Sequence, residues 1–121
     1  MIDLDDSVVD AALPDEKSVC TITFARLVAG PHLATTGLEA ARRQTRLQQV
    51  EAIFETLVFG DAAARSDGQM VAAVNATGRS QRRRISDLFS VATTHANGLT
   101  WYSRNPDDFV GLENLLHIVA I

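Results

Sequence analysis

Three polar stretches of this 121-residue chain carry side chains able to do chemistry. They are Thr21-Ile22-Thr23-Phe24-Ala25-Arg26, Arg84-Ile85-Ser86-Asp87-Leu88 and Ser103-Arg104-Asn105-Pro106-Asp107-Asp108. Carboxylates grouped in a crevice bind a hard divalent cation, which can activate water and neutralise charge on a phosphodiester. Each residue also has a plain structural use. Asp87 suits the first turn of a helix, Asp107 and Asp108 suit a solvated turn, and Asn105 before Pro106 is a common turn former. Other chemistries have less behind them. Cys20 is the single cysteine, which excludes an internal disulfide and a thiolate cluster and fits a small buried residue. His32, His95 and His117 form no i, i+4 pair of the kind a helical zinc motif needs, and no strand-turn-helix nucleophile elbow is visible.

The elements that must position these residues alternate between helix and short strand. Val19 to Phe24 reads as a strand end entering a helix, with Thr21 or Thr23 as N-cap, and Gly30-Pro31 interrupts that helix early. A longer helix runs from about Leu38 to Leu57, with Leu47, Val50, Phe54 and Leu57 on one face and Arg42, Arg43, Arg46, Gln49 and Glu55 on the other. Leu57-Val58-Phe59 is a very short strand. Asp61 then caps a helix from Ala62 to about Ala76, on which Ala64, Gly68, Val71 and Asn75 share a close-packing face.

After a polar loop containing Arg79, Arg82, Arg83 and Arg84, a helix begins near Ile85 and stops at Asn97-Gly98. Leu99 to Ser103 is a strand, the segment from Arg104 to Asp108 its exit loop, and Phe109 to Leu115 an amphipathic turn. The last stretch, from Leu116 to Ile121, is nearly continuous in apolar residues, as strands buried on both faces of a parallel sheet are. The order predicts one α/β domain over residues 1–121, a three-layer sandwich with a short, mostly parallel sheet. In such sheets ligands collect beyond the carboxyl ends of the strands, where the three polar stretches can be delivered.

Size and charge are consistent with this. The chain is long enough for one compact domain and too short for two. A formal net charge of -4 argues against an extended nucleic-acid-wrapping surface while leaving room for a local basic cluster. An acidic start, Met1-Ile2-Asp3-Leu4-Asp5-Asp6, and the lack of a long apolar run point away from a secretory signal or membrane span, so the expected location is cytoplasmic.

Residues Asp87-Leu88, Ala92, His95-Ala96-Asn97-Gly98-Leu99 and the run Tyr102-Ser103-Arg104-Asn105-Pro106-Asp107-Asp108-Phe109-Val110-Gly111-Leu112 resemble the C-terminal half of PIN-domain toxins of the VapBC type. The middle of the chain fits too, from Thr21-Ile22-Thr23-Phe24-Ala25 through Gly30-Pro31-His32-Leu33-Ala34 to Ala41-Arg42-Arg43-Gln44, so the similarity spans roughly residues 13 to 121. The resemblance implies a PIN-like fold and a magnesium- or manganese-dependent endoribonuclease toxin acting on RNA. It also implies an antitoxin partner that covers the acidic groove, and assembly as a homodimer or as a hetero-oligomer with the antitoxin.

The family's metal site takes an Asp ending the first strand, a Glu in a Thr-x-x-Glu segment, an Asp opening a later helix and an Asn or Asp in the final loop. Carried over residue by residue, Asp87 matches the third station, and Asn105 with Asp107 or Asp108 matches the fourth. Arg26 stands at the Glu station, where it neither completes a reciprocal cap nor adds negative charge. Within reach of Asp87 its guanidinium would take the electrostatic part of the metal ion.

The first station has two registers. In one, Asp5-Asp6-Ser7-Val8-Val9 ends the first strand and Asp5 joins Asp87 as metal ligand. In the other, Leu13-Pro14-Asp15-Glu16 is the linker before the Thr-x-Thr segment and the first strand is missing, so that another chain or residues 1–9 must cover exposed backbone groups. The run Arg82-Arg83-Arg84 suits either RNA phosphates or a solvated loop. Two functions remain in view. One is a nuclease toxin using Asp5, Asp87, Asn105 and Asp108; the other is a catalytically inactive PIN-like protein that binds an antitoxin or other partner.

Overall fold

The computed structural model describes residues 1–2, 16–79 and 85–121. Two parallel strand pairs form the sheet. In the first pair, β1 (Ser18–Cys20) lies beside β2 (Glu55–Leu57), with Val19 opposite Thr56. In the second, β3 (Trp101–Ser103) lies beside β4 (Ile118–Ala120), with Tyr102 opposite Val119.

Met1 and Ile2 join the two pairs. Ile2 bridges Tyr102 in the parallel sense, its N–H donates to the Ser18 carbonyl at 3.1 Å, and the Tyr102 N–H donates to the Met1 carbonyl at 2.9 Å. The place beside β1 and β3 that a missing strand would leave open is therefore taken by these two residues, both nearly fully buried. The Met1 amine donates to the Thr100 carbonyl, and burial lowers its pKa from 8.0 to about 6.

Helices flank the sheet. The first, α1 (Thr21–Leu33), starts earlier and runs further than its sequence suggests. Its N-cap is Cys20, whose Sγ accepts from the Ile22 N–H at 3.4 Å, so neither threonine caps it. Pro31 sits inside the last turn, where losing one N–H bond costs least because the helix is about to end.

Next, α2 (Gly37–Ile53) is capped by Thr36 Oγ1, which accepts from Glu39 N at 3.1 Å. It buries Leu47 and Val50 and stops four residues short of Leu57, because Glu55 to Leu57 extend to pair with β1. In α3 (Asp61–Ala76), Gly60 takes the N-cap position assigned above to Asp61, and the buried face is Ala63, Ser66, Met70 and Val74 rather than the one through Ala64, Gly68, Val71 and Asn75. The close packing of α3 is against α4 (Ile85–Ala96), which ends at Gly98 with a φ of 64°.

The core collects Met70 and Val74 of α3, Leu88, Val91 and Ala92 of α4, and Trp101, Phe109 and Leu112 beyond it. Trp101 meets Phe109 edge-on with ring centroids 5.4 Å apart. Phe109 closes a 3-10 turn, Pro106–Phe109, inside the stretch expected as an exit loop. β4 is shorter than the apolar run around it and partly exposed, as an outer strand with one paired side.

Two substitutions probe this packing. Gly111 has a φ of 99°, and a Cβ there would stand 2.6 Å from Thr77 Cγ2 and 3.2 Å from the Ala73 carbonyl oxygen. Gly111→Ala is expected to cost about 2–3 kcal/mol in urea unfolding, from backbone strain and the clash with α3.

Asp67 on α3 has a buried Oδ1 with no hydrogen-bond partner among the described residues, and burial raises its pKa above 3.8. A raised carboxyl pKa costs stability above the folded-state value, and the cost fades as pH falls and the native protein takes up the proton first. Asp67→Asn is expected to raise the unfolding free energy from urea titration at pH 7 by about a few tenths of a kcal/mol, the residue as a whole being only half-buried, with the gain shrinking towards pH 4.

Candidate functional site

The site is built where α1 and α4 run side by side at the carboxyl end of β1. Cys20, the last residue of that strand, places its Sγ 3.4 Å from Thr93 Oγ1 of α4. One turn on, Thr23 Oγ1 lies 3.1 Å from Ser90 Oγ. The proton directions follow from the other bonds. Thr93 donates to the Phe89 carbonyl at 2.8 Å and Ser90 to the Ser86 carbonyl at 3.3 Å, leaving the Cys20 thiol and the Thr23 hydroxyl as donors across the interface. Ser90 and Thr93 are buried, so these bonds occupy polar groups that burial would otherwise penalise.

The two contacts fix a register. From Cys20, at the end of β1, to Thr23 in α1 is a step of three forward that matches a step of three back on α4, so the chain enters α1 antiparallel to α4, and the next step of three on each leads to Arg26 and Asp87. Each rung advances about 4.5 Å along the helices, which sets that third rung beyond the strand ends, at the solvent edge. Arg26 is exposed and Asp87 half-buried. Among the described residues no ion pair joins them; on α2 a salt bridge joins Arg43 to Glu39 at 3.1 Å. Because α1 begins at Thr21, Arg26 is in its second turn and clear of the dipole penalty expected of a cation in the first.

Further bonds hold the surroundings. Thr21 Oγ1 accepts from the Phe59 N–H at 3.2 Å, and the Phe59 ring meets Phe89 of α4 at 4.7 Å, tying the start of α1 and the exit of β2 to α4. Past β3, the Asn105 N–H donates to the buried Ser103 Oγ at 3.0 Å, and the Asp108 N–H donates to the Asn105 carbonyl at 3.0 Å. Asn105 and Asp107 are exposed, Asp108 is half-buried, and Arg79 donates to the Asp107 carbonyl at 2.7 Å. Asp87 and Asp108 both have interaction partners.

The donor set was tested against a divalent cation. Among the described residues no three His, Cys, Asp or Glu side chains stand close enough together to hold a metal ion. In the register above, the place implied for a Glu opposite Asp87 holds a guanidinium. The described residues do not fit a bound magnesium ion. Asp5, the other expected ligand, and Arg82, Arg83 and Arg84 lie outside the described residues.

Two features escaped the sequence. The Cys20–Thr93 and Thr23–Ser90 rungs rest on residues three apart at the β1–α1 junction and three apart on α4, a signal that gains meaning only once the two segments are known to pack together. His95, expected as a surface histidine, is half-buried with Nδ1 2.9 Å from Ser66 Oγ of α3.

An α/β domain with a short parallel sheet and this helix order has the PIN architecture. Among solved structures, the chain is similar to VapBC-5 from Mycobacterium tuberculosis, a member of the VapBC family of toxin-antitoxin systems, at 28% identity and a TM-score of 0.82 over 97% of this chain and 91% of that one. It also matches FitAcB from Neisseria gonorrhoeae (21% identity, TM-score 0.72, 91% and 78% covered) and VapBC-1 from nontypeable Haemophilus influenzae (16%, 0.69, 89% and 77%), two likenesses that show the fold. No protein-family profile and no curated protein matches the chain. Its structure closely matches those of PIN-domain toxins of the VapBC and FitAB type, in agreement with the resemblance in its sequence.

The register makes a direct prediction. With Arg26→Cys and Asp87→Cys introduced together, a short bis-maleimide should link the two positions in high yield by mass spectrometry of the digest, native Cys20 being fully buried. No linkage, with both cysteines reacting with a monofunctional maleimide, would show that the rungs are misassigned.

Proposed function

We propose that this chain is a PIN-like protein that works by binding a partner protein of the antitoxin kind, without cutting RNA. The observation that carries this reading is that among the described residues no three His, Cys, Asp or Glu side chains stand together to hold a metal ion, while Arg26 stands where the resemblance implies a Glu. A guanidinium there supplies positive charge that needs no metal, and has no water to activate. The fold itself is maintained, so the surface that a partner covers is maintained with it. The similar VapBC-5 structure comes from a toxin-antitoxin family, which supports an antitoxin as the type of partner. By mass action such a partner also stabilises the fold it binds.

A second reading is favoured by the placement of Asp87 and the Asn105 to Asp108 loop beyond the carboxyl ends of the strands. It is the magnesium- or manganese-dependent endoribonuclease, with Asp5 and Asp87 as metal ligands, Asn105 and Asp108 as further polar groups and Arg82 to Arg84 against the RNA backbone.

One experiment separates the two. Purified free of any partner, the protein is expected to leave a panel of structured and single-stranded RNAs intact in the presence of magnesium or manganese. It is also expected to form a stable complex with the small protein encoded beside its gene. Metal-dependent cleavage that disappears in Asp87→Asn would establish the nuclease instead, and failure to form that complex would remove the binding reading.

A further inference from the structure

The α1–α2 hairpin is polarised in a way that specifies what covers it. α1 is a 13-residue, largely apolar helix with no buried residue. Leu33, two turns beyond Arg26 and on the same face, is 72% exposed, and Leu38 across the turn is 65% exposed. A helix face this apolar and this open in a soluble domain is the mark of a surface that another chain covers.

Its charge is opposite to that of the molecule. Residues 21–53 hold four arginines and two glutamates in a chain whose net charge is -4. Two of those arginines are already engaged: Arg43 donates to Glu39 Oε1 at 3.1 Å and to the Gly30 carbonyl at 2.9 Å, and Arg46 also has an interaction partner. Arg26 is exposed and is not bonded to any described residue. A partner laid along α1 buries this guanidinium against an apolar wall, and an uncompensated charge there costs several kcal/mol. The partner must therefore bring the counter-charge.

Resting on the partner-binding reading above, we infer that the partner segment seated on α1 is an acidic amphipathic helix, with a carboxylate pairing with Arg26 and an apolar side chain on Leu33. The two anchors are about 10.5 Å apart along α1, which sets them about two turns apart on the incoming helix. A carboxylate meets a guanidinium in a bidentate geometry that fixes register as well as adding affinity. The surface suits a peptide and not an RNA backbone. Glu39 and Glu51 are interleaved with the arginines, and the leucines offer nothing to phosphate.

The test is a charge swap in the complex with the protein encoded beside this gene, followed by calorimetric titration, with circular dichroism confirming that each variant is folded. Arg26→Glu should weaken binding at least tenfold, Leu33→Ser should weaken it by a similar factor, and Arg65→Glu on the exposed side of α3 should change it less than twofold. Replacing the contacting partner carboxylate by arginine should restore affinity to Arg26→Glu while weakening binding to the unmodified chain. A complex that forms but is unmoved by Arg26→Glu overturns the inference and leaves partner binding standing. No complex at all overturns both. A labelled 20-nucleotide single-stranded RNA that binds the unmodified chain and is lost in Arg26→Glu, with the protein complex unaffected, assigns the cation to RNA and overturns the inference too.

Discussion

Among the described residues, the sheet is held as one object by Met1 and Ile2. β1 with β2, and β3 with β4, are separate parallel pairs, and neither pair donates a strand hydrogen bond to the other. What joins them is the Ile2 bridge, with one bond to Ser18 on one side and one to Tyr102 on the other. Buried backbone polar groups need partners, so these two residues satisfy the inner edges of both pairs at once. β1 delivers Cys20 and α1, while β3 delivers Ser103 and the Asn105 loop. The relative position of the two halves of the site is thus a consequence of a two-residue splice in the sheet.

From that splice outward, order decreases in a graded way. The Cys20–Thr93 rung is fully buried, the Thr23–Ser90 rung is partly so, and the Arg26–Asp87 rung reaches solvent. The first two bear on stability, because an unpaired buried hydroxyl is penalised. The third costs the fold little, because its charge stays at the solvent edge.

Much of this was legible in the sequence. Asp87 at a helix start, the Gly98 stop, the aromatic strand before Asn105 and the alternation of helix and strand follow from local rules and appear in the structure. What local rules missed has tertiary causes. The end of α2 depends on β1 recruiting Glu55 to Leu57 as a pairing partner, although the apolar spacing would carry the helix through Leu57. The buried face of α3 is chosen by α4, with Ser66 reaching His95, and a face of small residues looks much the same in sequence as the one beside it. Cys20 as an N-cap was invisible because a thiol is a weak acceptor, seldom used where threonines stand next to it. The identity of Arg26 was plain; its register against Asp87 was not, since that comes from two contacts spanning some seventy residues.

The same grading explains how a domain of this kind can exchange one charge for its opposite and still fold. Replacing Thr93, a fully buried hydroxyl in the ladder, by arginine would bury an unpaired charge and cost several kcal/mol. At Arg26, which is exposed, a charge stays in water and disturbs the native state little. The positive charge is presented at the surface without disturbing the packed rungs beneath it. Packing and chemistry are therefore separable along a single helix pair, one turn apart. On this scaffold a change of function needs no change of fold.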